Sequence, residues 1–149
     1  MQIYDILEKD LHACTVLHQE SFDKGWSEAE FVALYSNPHI SGIYVADKGR
    51  MIGFLLYLHI LDDAEIYTIC VSKDDRKRGV ATQILTALKS RLQERCAARI
   101  FLEVSEENDA AQALYEKNAF EIFDRRKSYY QKDKNRHDAL MMHHIIDYD

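Results

Sequence analysis

The chain has 149 residues and a formal net charge of −6 at pH 7. With 47% apolar and 30% charged residues, it has too much core-forming material for a disordered chain, and enough for one domain over residues 1–149 without disulfides or a structural metal. The acidic balance disfavours bulk attraction to nucleic acid, and no apolar run approaches the roughly eighteen residues a membrane span needs.

In chain order, residues 1–7 read as an opening strand. Asp10 then reads as the N-cap of a helix carrying Leu11, Cys14, Leu17 and His18 on one side. Ser27-Glu28-Ala29-Glu30 has capping-box spacing and starts a second helix with Phe31, Leu34 and Tyr35 inward; Asn37-Pro38 stops it. Residues 43–47 and 51–59 are β-rich runs around Lys48-Gly49-Arg50, a hairpin signal. A turn is expected at Asp62-Asp63, followed by a strand over 65–71. Residues 79–95 carry Val80, Ala81, Ile84, Leu85, Leu88 and Leu92 at helical spacing, with Lys89, Arg91 and Arg95 towards the C-terminal end.

Residues 99–104 read as a buried strand. Asn108 then caps a helix from Asp109 to about Lys117, with Ala110, Ala113 and Leu114 on one side. Two strands close the chain, 120–124 extending towards Tyr130, and 138–146. The order is β α α β β β α β α β β. The strand–helix–strand crossover from 65 to 104 implies two parallel neighbours in a mixed sheet.

Cys14, Cys70 and Cys96 are widely spaced and form no Cys-x-x-Cys pair, which disfavours a disulfide frame or a zinc site. His143 and His144 should face opposite sides of a strand, so a shared metal is not expected. The opening Met1-Gln2-Ile3-Tyr4-Asp5 lacks a basic region followed by an apolar stretch, and a cytoplasmic location is expected.

Two constellations carry chemistry. In Arg76-Lys77-Arg78-Gly79-Val80-Ala81-Thr82 a basic turn opens a helix. Helix N-termini present unpaired amides and a positive dipole end, and small residues let a phosphate approach. The string matches neither phosphate-loop nor dinucleotide fingerprint, and it reads equally as an ordinary helix start with a solvated basic cluster. The second is Glu103, in an apolar strand, with Asn108 and Tyr115 on the helix that follows. Partial burial would raise the Glu103 pKa and suit it as a base; a phenol can protonate a leaving thiolate. A glutamate on a polar strand face and a core tyrosine are the competing readings.

These residues resemble the GNAT acetyltransferase superfamily. Its Gln/Arg-x-x-Gly-x-Gly/Ala signature is matched by Arg76-Lys77-Arg78-Gly79-Val80-Ala81, and its Asn-x-x-Ala-x-x-Leu-Tyr-x-x-x-Gly-Phe segment by residues 108–120. There Ala119 replaces the usual glycine, and Asn118 is expected to take the left-handed conformation instead. Trp26-Ser27 (after Gly25, where the family usually has proline), Arg125-Arg126-Lys127-Ser128-Tyr129-Tyr130 and Asp138-Ala139-Leu140-Met141-Met142 narrow the resemblance. They resemble the bacterial ribosomal-protein-alanine N-acetyltransferases, the RimI type.

The resemblance implies a GNAT fold of about seven strands and about four helices, with splayed parallel strands at the site. It implies acetyl-CoA as co-substrate, no metal, and direct transfer in a ternary complex. By similarity, backbone groups of Ile69, Cys70 and Val71 bind pantetheine. Lys77, Arg78, Gly79, Val80, Ala81 and Thr82 hold the pyrophosphate, and Asn108 contacts the coenzyme. Glu103 is the base and Tyr115 the acid. The implied acceptor is the N-terminal peptide of a basic protein, a ribosomal one, with no direct nucleic-acid or membrane partner. Trp26, Tyr129 and Tyr130 would wall the peptide entrance or fill core. A small-amine acetyltransferase or a non-catalytic CoA-binding module are the alternatives.

Overall fold

A computed structural model describes residues 1–127 and 137–148. The elements follow the expected order: β1 (Gln2–Asp5), α1 (Leu11–Ser21), α2 (Glu28–Tyr35), β2 (Ile40–Asp47), β3 (Arg50–Ile60), β4 (Asp63–Val71), α3 (Val80–Glu94), β5 (Arg99–Ser105), α4 (Asp109–Lys117), β6 (Glu121–Arg126) and β7 (Ala139–Ile145). All seven strands join one mixed sheet in the order β1-β2-β3-β4-β5-β7-β6. Ser128, Tyr129 and Tyr130 lie outside the described residues.

Alternation along the strands divides the core into two layers. Ala64 and Ile66 of β4 join Ile100, Leu102 and Val104 of β5 against Ile84, Leu85, Leu88 and Leu92 of α3. On the other face, Phe54, Leu56 and Cys70 pack against Leu11, Cys14 and Leu17 of α1 and Phe31 of α2. The α1 face is the expected one, but Asp10 does not cap it. Its carboxylate accepts from the Leu7 amide at 2.8 Å instead, tightening the preceding 3-10 turn. Ser27 does cap α2, accepting from the Glu30 amide at 3.1 Å.

The β2–β3 hairpin closes on Lys48 and Gly49, both at positive φ (53° and 77°), the two-residue geometry that matches strand twist. The next turn falls on Leu61-Asp62, one residue before the expected Asp62-Asp63. Asp63 is already paired with Ile60, and the Asp62 carbonyl accepts from the Ala98 and Arg99 amides at 2.7 and 3.2 Å. That anchor starts β5 parallel to β4.

The β4–β5 pairing then lasts only three residues: Asp63 with Arg99, Ala64 with Ile100 and Glu65 with Phe101. In β4 the register to β3 shifts, so that Ile66 opposes Tyr57 but Thr68 opposes Leu56, leaving Tyr67 as a bulge. A bulge bends its strand. Beyond it β4 stays with β3, β5 stays with β7, and the two parallel strands fork.

Helix α4 is rotated from the expected face. Ala110 and Ala113 are exposed, while Tyr115 and Asn118 are buried and Ala111 and Leu114 pack on the core. Asn118 fixes this rotation, its Nδ2 donating to the Leu114 carbonyl at 2.8 Å and to Thr82 Oγ1 at 3.3 Å. The helix ends in a Schellman arrangement, with the Phe120 amide on the Tyr115 carbonyl and the Ala119 amide on the Glu116 carbonyl. The left-handed residue is Ala119 (φ 66°), not Asn118 (φ −99°), because the committed Asn118 side chain holds its backbone near helical values. Ala119→Gly should therefore stabilise the protein by about 1 kcal/mol, raising Tm by about 3 °C in a thermal melt.

Candidate active site

The fork opens a groove of about 840 Å3. Its walls come from β4 (Tyr67, Thr68, Ile69, Cys70, Val71), β5 (Glu103, Val104, Ser105), the start of α3, and α4 with its Asn108 cap. From residue 66 onward β4 has no partner on its β5 side, so backbone groups there are open to an extended ligand. Ile69, Cys70 and Val71 lie in this stretch.

At one end the groove runs into the mouth of α3. Lys77 (φ 65°) and Gly79 (φ 78°) are left-handed, which turns the chain sharply into the helix. A Cβ on Gly79 would meet nothing within 4 Å, so glycine is required there by conformation and not by crowding from the protein. The first helical bond is made by Gln83, whose amide reaches the Gly79 carbonyl at 3.0 Å. The Val80, Ala81 and Thr82 amides precede it, and no side chain caps them. Together with the helix dipole they form an anion cradle. Lys77, Gly79, Val80, Ala81 and Thr82 all line the groove. Ala81, expected on the buried apolar face of α3, is half-buried and faces the groove.

Arg78 does not line it. Its guanidinium donates to Asp75 Oδ1 at 2.6 Å and Asp47 Oδ2 at 3.1 Å, and Arg50 adds a bond to Asp75 Oδ2 at 3.3 Å. Asp75 is buried, so these bonds brace the turn from behind. The same guanidinium holds the Asp47 carboxyl below its usual range.

Tyr115 and Glu103 stand on opposite walls. Tyr115 is buried on α4, and burial pushes its phenol up to about 12, so it stays protonated at any physiological pH. The Schellman end of α4 holds Phe120 against its ring, centroids 5.7 Å apart. Glu103 lies on the β5 face away from α3 and is not buried as expected; its side chain is 40% exposed. The reason is positional: among the described residues no helix covers that face of β5, and Arg126 of β6 reaches across to its carboxylate at 2.9 Å. Asn108 lines the groove and caps α4, its Oδ1 accepting from the Ala111 amide at 3.1 Å, which leaves its amide donors for a ligand.

Arg125, expected on a solvated face, ties β6 to Glu106 and to Asp138 at 3.2 Å. His143 stacks on Phe123 and His144 packs against Phe120 on the opposite face, as alternation requires. The Cys70 thiol, buried in the α1 layer, is pushed up to about 12, which makes it a poor nucleophile.

Pattern reading missed Ser21 and Phe22 as parts of the groove, and His18 as the partner of Thr68 in its wall. His18 is buried, with Nδ1 accepting from the Trp26 amide at 3.0 Å and Nε2 facing Thr68 Oγ1 at 3.2 Å. The amide fixes the neutral tautomer, so Nε2–H donates to Thr68. Trp26 stacks on His18 and packs on Phe31, which makes it chiefly a packing residue. The glycine before it is needed by close approach, since a Cβ on Gly25 would lie 2.5 Å from Gln19 Cα. Burial lowers the His18 pKa, against a smaller opposing effect of Glu30. With the folded value below the unfolded one, His18 contributes its stability fully above the unfolded pKa of about 6.5 and loses it as pH falls through the folded value. Urea midpoints should decline on acidification below about pH 6.5, and His18→Asn should show a shallower decline.

A forked β4–β5 pair and an uncapped, glycine-led helix mouth at the end of one groove suit an extended ligand with an anionic end. The acetyltransferase (GNAT) family model matches residues 11–120, and the chain belongs to that family. Members use acetyl-CoA as acetyl donor, and this chain is an acetyl-CoA-dependent N-acetyltransferase. It is 31% identical over 133 residues to the [ribosomal protein bS18]-alanine N-acetyltransferase of Escherichia coli, covering 89% of each chain. It is 28% identical to the Haemophilus ducreyi protein of the same description, over 94% of this chain and 97% of that one. The crystal structure of the Escherichia coli ribosomal-protein-alanine enzyme superposes with a TM-score of 0.89 at 30% identity, covering 99% of this chain and 95% of that one.

Proposed function

We propose that this enzyme acetylates the N-terminal α-amino group of a protein, with the N-terminal alanine of ribosomal protein bS18 as its first acceptor. The observation that carries the reading is the fork itself. It opens a groove leading from the α3 amides to a point between Tyr115 and Glu103. Similarity over nearly the whole chain to enzymes described as acting on that alanine supports the acceptor.

In this reading Lys77 and the α3 amides bind the diphosphate, and Ile69, Cys70 and Val71 pair with pantetheine along the open edge of β4. Arg78 serves by bracing the turn rather than by side-chain contact. The acceptor amine attacks the thioester carbonyl from the Glu103 side. An α-amino group has a pKa of about 8, so shedding its proton near neutrality costs little, whereas a lysine at about 10.4 resists. Glu103, through water, takes that proton. Tyr115 donates a proton to the sulfur as the C–S bond breaks. The protonated Cys70 thiol disfavours an acetyl-cysteine and favours direct transfer.

A thiol-release assay with acetyl-CoA tests the reading. It compares an Ala-Arg N-terminal peptide, the same peptide with a blocked N-terminus, and spermidine. Release with the free peptide alone is expected; release with spermidine alone overturns the acceptor assignment in favour of a small amine.

A further inference from the structure

Glu65 has no part in the roles above, yet it occupies the last paired position before the strands diverge. Ala64 and Ile66 beside it point into the α3 layer, as do Ile100 and Leu102 of β5. Alternation therefore puts Glu65, Phe101 and Glu103 together on the opposite face. Glu65 pairs directly with Phe101, and Glu103 is two residues further along that face, a diagonal neighbour. The two glutamates thus share one face of the sheet, Glu65 at the root of the fork and Glu103 further along its β5 arm, where it lines the groove.

Their surroundings differ. Glu103 is held by Arg126 at 2.9 Å. Glu65 is half-buried, sits opposite Leu58 of β3, and among the described residues engages no hydrogen-bond donor or cation. Burial, and then repulsion from Glu103, push its carboxyl towards protonation. A half-buried carboxylate next to a second one is an uncompensated arrangement that an arriving cation relieves. The substrate of an amine acetyltransferase is such a cation until it gives up its proton.

We propose that Glu65 is a specificity-determining residue of the acetyl-transfer site: from the last paired position of β4 it holds the cationic end of the acceptor beside Glu103. This rests on the protein-acceptor reading above. The cation is either the α-ammonium itself or a basic side chain at the second residue of the peptide. Glu65 sets where the acceptor sits, and Glu103 handles the proton, so the two residues divide binding from chemistry.

Steady-state kinetics of wild type, Glu65→Gln and Glu65→Asp with Ala-Arg and Ala-Gln peptides test it. Glu65→Gln should raise the acceptor KM about tenfold, the size of one charge-assisted contact, with kcat and the acetyl-CoA KM unchanged. Glu65→Asp should stay close to wild type, since charge and not shape is required. An equal penalty on both peptides assigns the α-ammonium, and a penalty on Ala-Arg alone assigns the second side chain; each upholds the proposal. An unchanged acceptor KM with both peptides overturns it, as does a parallel loss of kcat and acetyl-CoA affinity, the mark of a structural role. Wild-type inactivity on both peptides would instead overturn the protein-acceptor reading, and this inference with it.

Discussion

Tyr115→Phe should lower kcat by about two to three orders of magnitude while leaving the KM for acetyl-CoA within about twofold. The phenyl ring keeps the packing of Tyr115 on Phe120, so the Schellman end of α4 and the fold should survive. What is lost is a hydroxyl that burial keeps protonated, its pKa pushed up to about 12. In the proposed role that hydroxyl faces a neutral thioester in the ground state and contributes little to binding. As the C–S bond breaks in that role, negative charge grows on sulfur, and a fixed donor then contributes most. The signature is therefore a kcat loss without a KM change. A variant at full rate would remove Tyr115 from the mechanism.

Ala81→Asp should have opposite effects on stability and on substrate. Ala81 is the second residue of α3 and lines the groove at the cradle. A carboxylate in the first turn suits the helix dipole and should stabilise the unliganded protein by about 0.5 kcal/mol. The same carboxylate would occupy the anion site and repel a diphosphate, raising the acetyl-CoA KM by about a hundredfold. A simple folding defect cannot give this pair of results. Thermal melts and acetyl-CoA titrations of one preparation measure both.

Elements governed by local rules were legible in the sequence. The α3 stripe from Val80 to Leu92, the Ser27 and Asn108 caps, and the Lys48-Gly49 hairpin depend on spacing and turn chemistry within a few residues. The misreadings trace to tertiary contacts. Asp10 was drawn to the Leu7 amide, and Asn118 fixed both the rotation of α4 and the left-handed position at Ala119. The β3–β4 turn moved because Asp62 is bonded to the start of β5.

The site was legible in part. Its motif residues follow from the family resemblance, but their environments depend on the sheet. Glu103 is exposed because no helix among the described residues covers that face of β5, and Arg78 turns away because Asp75 and Asp47 hold it. The Tyr67 bulge leaves no mark in the hydrophobic pattern, since its effect is a register shift against β3. Glu65 gains meaning only from its place at the fork, which no local window contains.

The central claim is that the fork and the α3 mouth together bind one extended thioester. A crystal structure of the protein with coenzyme A tests it most directly. The account predicts diphosphate oxygens on the Val80, Ala81 and Thr82 amides, pantetheine along the open edge of β4, and the sulfur beside the Tyr115 hydroxyl. A diphosphate bound away from that helix mouth, or a sulfur out of reach of Tyr115, would contradict it.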